Sequence, residues 1–204
     1  MMEKIKMVLA TRNGGKIREL QKLLDEELGA CVELVSLEEA GISDDVEETG
    51  NTFVENALIK ARHAAASGYI ALADDSGLSV AALDGAPGVF SARYAGEHDD
   101  AANNRLLLHN MEGVTDRRAA FVSVLACVFP AGGEPILCEG RVQGEILTAP
   151  RGENGFGYDP LFFVPALGKT LAQASAEEKN SVSHRGAAVR AFAPLFAARM
   201  GIKI

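Results

Sequence analysis

The sequence predicts a protein of the α/β class, because segments with the patterns of strands and of helices follow one another along the chain. Near the start, an apolar segment of strand length leads through a glycine-bearing loop into an amphipathic helix. In the second half, two long apolar segments flank a Gly-Gly turn, which is typical of a β-hairpin. With 48% hydrophobic and 24% charged residues, residues 1–204 are expected to form a single domain with a buried core.

The overall charge and the cysteines limit the classes of function. A net charge of −8 argues against non-specific binding to nucleic acid or acidic membranes, although local basic groups and a metal could still hold a small polyanion. Cys31, Cys127 and Cys138 match neither a C-x-x-C pair nor a zinc spacing. No apolar segment approaches the length of a membrane span, and no signal-peptide pattern opens the chain. We therefore expect a cytoplasmic protein that binds neither nucleic acid nor membrane.

The first elements are a strand at residues 5–10, a loop, and a helix at residues 17–28 whose apolar stripe is Ile17, Leu20, Leu24 and Leu28. The loop consists of Thr11, Arg12, Asn13, Gly14, Gly15 and Lys16. A helix N-terminus offers free amides and the positive end of a dipole, so this loop predicts an anion site to which Lys16 adds a full charge. An ordinary strand-to-helix turn with a solvated lysine would show the same pattern.

The next elements are a strand at residues 32–37, an acidic segment at residues 43–50 and a helix at residues 52–66. An acidic run is usually a solvated loop, but one member could be the second ligand of a nearby metal, and Glu48 is our choice. The helix carries Asn56, Lys60 and His63 on one polar side, as an ordinary amphipathic helix also would.

The strongest chemical signal is an apolar strand at residues 69–73 that ends in Asp74, Asp75, Ser76 and Gly77. We expect Ser76 and Gly77 to form the turn that stops this strand. Two carboxylates ~4 Å apart repel by about 4 kcal/mol at an effective dielectric of 20, and a divalent metal would remove that cost. Neighbouring residues of a strand point to opposite faces, so the two acids are expected to have different tasks. A solvated Asp-Asp turn is the alternative.

The second half is predicted to contain a further strand, a helix, a hairpin and a last helix. The strand covers residues 78–83, the helix residues 101–111, and the hairpin residues 118–129 and 136–146. The Gly-Gly turn would place Cys127 and Cys138 opposite each other, where a reducing cytosol favours two buried free thiols. The last helix is expected to begin after Ser183 and to be kinked or divided at Pro194.

Two stretches near the end could contact a ligand. Phe156, Gly157, Tyr158 and Asp159 form a loop that can lay a flat ring against backbone, and stacking on a nucleobase is worth roughly 1–3 kcal/mol. Aromatic side chains that close the edge of the core would look the same.

Lys179 stands in a polar run, and His184 and Arg185 follow in the first turn of the last helix. Cations in this position oppose the helix dipole, so an anion or an electron-rich ligand nearby would explain them. A neutral His184 with a solvent-facing Arg185 is the alternative.

In their order along the chain, these motifs resemble those of one protein family. They are A-T-R-N-G-G-K at residues 10–16, E-T-G at 48–50, E-N-A at 55–57 with K-A at 60–61, A-D-D-S-G at 73–77, G-A-P-G at 85–88, S-A-R at 91–93, G-F-G-Y-D-P at 155–160 and S-H-R at 183–185. The series is similar to that of the inosine triphosphate pyrophosphatases, also called XTP/dITP diphosphatases, and covers nearly the whole chain. One departure is Arg12, where the family often has glycine.

The resemblance implies Mg²⁺-dependent hydrolysis of ITP, dITP and XTP to the monophosphate and pyrophosphate, and a homodimer. It also implies an elongated mixed sheet flanked by helices, with two lobes around a nucleotide-binding cleft. By position, it implies that residues 11–16 contact the triphosphate and that Asp75 is the metal ligand and base, with Glu48 as a second ligand. The residues implied to contact the nucleotide are Ser76, Phe156, Gly157, Tyr158, Asp159, Lys179, His184 and Arg185.

The chemistry of these residues agrees with that assignment. Lys16, Lys60 and Lys179 together with Mg²⁺ could offset the charge of a triphosphate in an acidic protein. We expect Asp74 to support the metal through its hydration shell. Donors of His184 and Arg185 would favour a 6-keto purine over adenine, since a keto oxygen accepts where an amino group donates.

Two other functions fit part of the pattern. A nucleotide sensor would bind without cleaving, although the pair of Asp75 and Glu48 argues against it. A phosphatase resembling the haloacid dehalogenases would use an aspartyl nucleophile and release orthophosphate. That class usually shows D-x-D-x-T, which the sequence around Asp74 lacks.

Overall fold

A computed structural model describes residues 4–96 and 99–203 of the chain. Over these residues the strands are β1 (Ile5–Leu9), β2 (Val32–Val35), β3 (Ile70–Val80), β4 (Arg118–Val128), β5 (Ile136–Ile146), β6 (Phe162–Val164) and β7 (Lys169–Thr170). They form one seven-stranded sheet in the order β2-β1-β3-β4-β5-β6-β7. β1 runs parallel to β2 and β3, whereas β6 is antiparallel to β5 and β7. The predicted mixed sheet is therefore confirmed.

The α-helices in the same part of the chain are α1 (Gly14–Leu28), α2 (Phe53–Ala65), α3 (Asp100–Asn110), α4 (Ala176–Ser181) and α5 (His184–Met200). The predicted helices all form, and α4 is an addition that the polar run around Lys179 did not suggest. Ser175 begins α4 as an N-cap in a capping box with Glu178, which offsets the short length of this helix.

The described residues divide into two compact units. Unit 1 comprises the described parts of Met1–Asp75, Ser123–Gly140 and Arg185–Ile204, and unit 2 comprises those of Ser76–Val122 and Arg141–His184. Strands β3, β4 and β5 each contribute residues to both units.

The core of unit 1 is formed by α1, α5 and the strands between them. The predicted stripe of α1 is buried at Leu20, Leu24 and Leu28, and α5 adds Phe192 and Phe196, both fully buried. The free thiols of Cys127 and Cys138 belong to this core, as expected. Burying these apolar side chains fixes α1 against the sheet, and with it the loop that precedes the helix.

The core of unit 2 is built around Phe162, whose ring packs against Phe121 with 4.6 Å between centroids. Tyr158 is buried in the same cluster at 4% exposure. The aromatic loop therefore supplies one ring to the core, as one of the two interpretations of this loop expected, while the neighbouring Phe156 remains 70% exposed.

The turn predicted at Ser76 and Gly77 is wrong, because β3 continues through both residues to Val80. Gly77 instead allows β3 to lie close to Gly88 and Ser91 of the same chain. A Cβ on Gly77 would lie 2.4 Å from Ser91 Oγ and 2.7 Å from the carbonyl oxygen of Gly88. The strand expected at residues 78–83 gives way after Val80 to a 3₁₀ turn at Ala81–Leu83.

The last helix is not divided at Pro194, since α5 runs unbroken from His184 to Met200, and the alternative of a kink at this residue stays a prediction. Within residues 4–96 and 99–203, no helix combines the length and the apolar composition needed to cross a bilayer.

Candidate active site

Asp74 and Asp75 follow each other on β3, and each has its own set of partners. Asp74 is 4% exposed as a residue, and its carboxylate accepts a hydrogen bond of 2.7 Å from Ser123 Oγ. Lys16 Nζ lies 2.9 Å and Arg185 Nε 3.2 Å from its Oδ2. Asp74 thus faces two cations and a hydroxyl, and its support of a metal through bound water stays a prediction.

These contacts keep Asp74 ionised despite its burial. Burial alone would raise its pKa, but Lys16 and Arg185, with the hydrogen bonds from Lys16 and Ser123, hold the pKa far below its usual value. A buried carboxylate of this kind stabilises the fold only while its cationic partners remain.

Asp75 is 8% exposed and pairs with Lys60, whose Nζ lies 2.7 Å from its Oδ1. The same ammonium lies 3.5 Å from Oε1 of Glu48. Burial is the largest influence on the pKa of Asp75 and raises it; Lys60 opposes the rise, the negative charges of Glu48 and Asp74 add to it, and the pKa ends above its usual value. A carboxylate with a raised pKa is a better proton acceptor in catalysis than an ordinary one.

Local sequence explains how Lys60 reaches this position. Thr52 caps α2 in a capping box with Glu55, so the helix begins at a defined residue. Two turns later Lys60 projects towards β3, where it also donates to the backbone carbonyl of Asp74 at 3.1 Å. We call Glu48, Lys60, Asp74 and Asp75, together with Lys16 and Arg185, the acid–lysine cluster; all six residues lie in unit 1.

The loop before α1 differs in detail from the predicted anion site. Asn13 is the N-cap, and its side chain accepts hydrogen bonds from the amides of Gly15 and Lys16, two of the groups expected to be free. The hydroxyl of Thr11 accepts from the amide of Asn13 at 3.2 Å. Gly14 and Gly15 form the first turn of α1, which has no acidic residue there, so its dipole still favours an anion.

Arg12 and Arg185 have partners that the sequence did not reveal. The Arg12 guanidinium pairs with Asp45 at 2.7 Å, and its contact with a triphosphate stays a prediction. Arg185 is 8% exposed and lies 3.3 Å from Glu19 Oε2, in addition to its contact with Asp74. The alternative of a solvent-facing Arg185 is therefore wrong, and its reading of a purine base stays a prediction.

Unit 2 contains the remaining predicted site residues. The aromatic loop, residues 155–159, is held by Asp159, which accepts from the amide of Phe156 at 3.0 Å and pairs with Lys179. The ammonium of Lys179 lies 4.7 Å from the centroid of the Phe156 ring. One face of an exposed aromatic ring is thus supported by a cation.

The other two predicted residues of unit 2 lie on regular elements. His184 begins α5, and its ring stacks on Phe121 with 5.5 Å between centroids and an interplanar angle of 20°. Ser76 is half-buried in β3.

A Mg²⁺ site at Asp75 and Glu48 fits the donors present. In the part of the chain that the structure describes, no group of three or more His, Cys, Asp or Glu residues could hold a metal. However, Glu48 and Asp75 converge on one cation, the Lys60 ammonium, within 3.5 Å and 2.7 Å. Mg²⁺ is commonly bound by one or two carboxylates plus water and substrate phosphates, which is the donor set that two converging acids offer.

Sequence analysis missed several residues that hold these sites. In unit 1 they are Ser123, which donates to Asp74, and Glu19, which pairs with Arg185. In unit 2, Asp100 accepts from the amide of Gly157 at 2.7 Å, and Asn104 donates to its carbonyl at 2.9 Å. Two signals in the sequence could have indicated some of them. Ser123 is a polar residue in an apolar strand, and Asp100 and Asn104 have the i, i+4 spacing of one helix face.

The fold and the cluster define an α/β protein with converging carboxylates and lysines, the set of groups that suits phosphate-bearing substrates. The chain belongs to the Ham1 family, whose model matches residues 7–195. The resemblance found in the sequence is confirmed, because similar curated proteins carry the name dITP/XTP pyrophosphatase. One from Methylibium petroleiphilum is 52% identical over 200 residues, covering 91% of this chain and 94% of that protein. One from Aromatoleum aromaticum is 54% identical, covering 91% and 93%.

Solved structures agree with the fold. The Ham1 protein of Staphylococcus aureus superposes with a TM-score of 0.87 at 43% identity, covering 95% of this chain and 99% of that one. A nucleoside-triphosphatase, also named dITP/XTP pyrophosphatase, from Mycobacterium abscessus gives a TM-score of 0.79 at 47% identity, covering 94% and 98%.

Proposed function

We propose that the protein hydrolyses non-standard purine nucleoside triphosphates, namely ITP, dITP and XTP, to the nucleoside monophosphate and pyrophosphate. The relatives named dITP/XTP pyrophosphatase support the class of reaction. The observation that carries the proposal is the buried Asp75, whose pKa is raised and whose carboxylate converges with Glu48 on Lys60.

In the proposed reaction, Asp75 orients a water molecule and accepts its proton. The water oxygen forms a bond to the α-phosphorus, and the bond from that phosphorus to the bridging oxygen of the β-phosphate breaks. The electron pair of that bond leaves with pyrophosphate. Because Asp75 is buried, its charge is poorly solvated, which favours proton uptake during the attack.

The cations of unit 1 bind and neutralise the phosphates. Lys16 lies at the start of α1, where the helix dipole also attracts negative charge, and its pairing with Asp74 aims the ammonium. Lys60 is held by Asp75 and Glu48, so its position is fixed before substrate binds. Phosphoryl transfer depends mostly on such positioning and charge stabilisation.

Mg²⁺ is the proposed cofactor, with Asp75 and Glu48 as the residues that would hold it. When bound, it would offset phosphate charge and act as a Lewis acid at a phosphoryl oxygen. Removing divalent ions with a chelator should abolish product release, and adding Mg²⁺ should restore it. A homodimer in the cytoplasm stays a prediction. Measuring the mass of the protein in solution tests its oligomeric state.

In unit 2, we propose that the exposed ring of Phe156 stacks on the purine base and that His184 contributes to its recognition. Stacking alone accepts every base, so discrimination of a 6-keto purine requires donors that would be left unpaired by adenine. The 70% exposure of Phe156 supports its availability for a ligand.

The experiment that tests the function supplies Mg²⁺ with dITP, XTP, ITP, ATP or GTP and identifies the released anion. Pyrophosphate from the first three, with much slower release from ATP and GTP, is the expected result. Orthophosphate would instead indicate a phosphatase, and tight binding without any product would indicate a sensor.

A further inference from the structure

The acidic segment, residues 43–50, contains neither helix nor strand in the described structure, yet it carries Glu48. The side chain of Glu48 is 35% exposed, so packing alone does not fix it. Without a backbone ladder to hold such a segment, its conformation depends on the side chains that bind it.

The end of the segment is held by Asn56 of α2. Its Oδ1 accepts a hydrogen bond of 2.8 Å from the amide of Gly50, and Asn56 is fully buried. The approach is close: a Cβ on Gly50 would lie 2.6 Å from both Asn56 Oδ1 and Glu55 Cβ. Within the described residues, Asn56 Nδ2 is buried without a hydrogen-bond partner. A buried amide group whose donor has no partner destabilises the fold. The hydrogen bond with Gly50 would explain why an asparagine stands at this position despite that cost.

The start of the segment is held by Arg12 of the loop before α1. Its Nε lies 2.7 Å from Asp45 Oδ1, and its Nη2 donates to the carbonyl oxygen of Ser43 at 2.8 Å. A planar guanidinium that binds a side chain and the backbone together restricts a loop more than one ion pair does. Glycine at this position could make neither contact.

We propose that Arg12 and Asn56 are positioning residues that hold Glu48 beside Lys60 and Asp75 from the two ends of the acidic segment. They thereby set the affinity of the site for a divalent cation, without touching the cation. The proposal deepens the proposed function and rests on it, since Glu48 has a ligand role only there. Residues that orient a metal ligand typically change metal affinity by about 10- to 100-fold when they are replaced.

The test measures binding of Mn²⁺ alone, by electron paramagnetic resonance without nucleotide, since carboxylates that suit Mg²⁺ also suit Mn²⁺. We expect Arg12→Ala and Asn56→Ala each to weaken Mn²⁺ binding about tenfold. The concentration of Mg²⁺ that half-saturates pyrophosphate release should rise by a similar factor. Arg12 is half exposed, so its variant keeps the test valid even if Asn56→Ala folds poorly.

Two matched variants in unit 2 serve as controls. Asn103 is 2% exposed and binds the amide of Ala95 at 2.7 Å, so it is also a buried asparagine that holds a loop. Arg118 pairs with Asp116 at 2.7 Å on the surface. Asn103→Ala and Arg118→Ala should bind Mn²⁺ as the unaltered protein does.

Unchanged Mn²⁺ affinity in Arg12→Ala and Asn56→Ala would overturn the proposal, as would an equal loss in the two controls. Glu48→Gln separates this failure from failure of the proposed function. If Glu48→Gln binds Mn²⁺ normally, Glu48 is not a ligand and the positioning proposal fails, whereas pyrophosphate release from dITP by the unaltered protein still supports the proposed function. If Mn²⁺ binding weakens in Arg12→Ala and Asn56→Ala but dITP gives no pyrophosphate, the positioning role of these two residues stands. Only the proposed reaction is then wrong.

Discussion

The ammonium of Lys16 lies 2.9 Å from the carboxylate of Asp74, so the lysine predicted to bind phosphate is already paired with an acid of its own unit. Asp74 also faces Arg185, and its carboxylate side chain is only 2% exposed. In the proposed function, an arriving phosphate would meet a lysine whose direction is fixed and whose charge is shared. We therefore expect both folding and the proposed binding of phosphate to depend on Asp74.

Replacing Asp74 by asparagine should lower the free energy of unfolding by about 3–5 kcal/mol at pH 7, because two cations lose their buried partner. The pKa of Asp74 is held below its ordinary value of 3.8, so its stabilising effect is complete above that pH. The effect is lost as the pH falls through the lowered pKa. Denaturant unfolding of both proteins between pH 7 and pH 2 should show their difference shrinking only below about pH 4.

Asp116→Asn is the control for this acid dependence. Arg118 lowers the pKa of the Asp116 carboxyl to about 2, but the ion pair between them is exposed and screened by solvent. Asp116→Asn should therefore barely change the free energy of unfolding at pH 7. Equal effects of the two replacements would contradict the role given to burial.

Asp75→Asn should reduce kcat by about 10²- to 10⁴-fold, because the amide cannot accept the proton of the attacking water. The shape of the side chain is kept, so thermal unfolding should remain cooperative. Pyrophosphate release from dITP at saturating Mg²⁺ is the measurement. Turnover within a few-fold of the unaltered protein would refute Asp75 as the base.

Measured at Mg²⁺ concentrations well below saturation, where Asp75 of the free enzyme carries no metal, the pH profile of kcat/KM should report the raised pKa of Asp75. Activity requires the ionised carboxylate, so the acid limb should lie above 3.8, with activity falling as the pH drops through it. Lys60 lowers this pKa, and Lys60→Ala should therefore move the acid limb to higher pH, besides weakening phosphate binding. A shift to lower pH would show that another group controls the limb.

Phe156→Ala should raise KM for dITP by roughly 5- to 150-fold and change kcat little, as expected for a lost stacking energy of about 1–3 kcal/mol. Phe90→Ala is a matched control, since Phe90 is 54% exposed and also carries a cation, Arg93, 5.3 Å from its ring centroid. Equal KM values for Phe156→Ala and the unaltered protein would exclude stacking on this ring. A rise of the same size in Phe90→Ala would show that the effect is not specific to the loop.

Local patterns predicted most of the fold correctly. The stripe of Leu20, Leu24 and Leu28 gave α1, and β5 has the predicted bounds of residues 136–146. Gly77 was misjudged because glycine marks turns and close contacts alike, and only the position of Ser91 distinguishes them. What a single residue such as this glycine indicates is decided by chain segments that are distant in sequence and close in the fold.

The same reason explains what was missed at the candidate site. Strand alternation predicted that Asp74 and Asp75 point to opposite faces, and their different side-chain partners, Ser123 and Lys60, agree with it. The contact of Arg185 with Asp74 joins residues 111 positions apart, and no local pattern carries that information. His184 and Arg185 are neighbours in sequence, yet the ring packs on Phe121 while the guanidinium pairs with carboxylates.

The unbroken course of β3 through both acids restricts how the chain can vary. Side chains alternate along a strand, so inserting or deleting one residue between Ile70 and Asp74 would exchange the faces of the two carboxylates. Lys60 would then meet the wrong acid, and Lys16 would lose its partner. We therefore expect a change of length in this segment to disrupt the cluster, whereas the exposed turn at residues 130–134 should tolerate one.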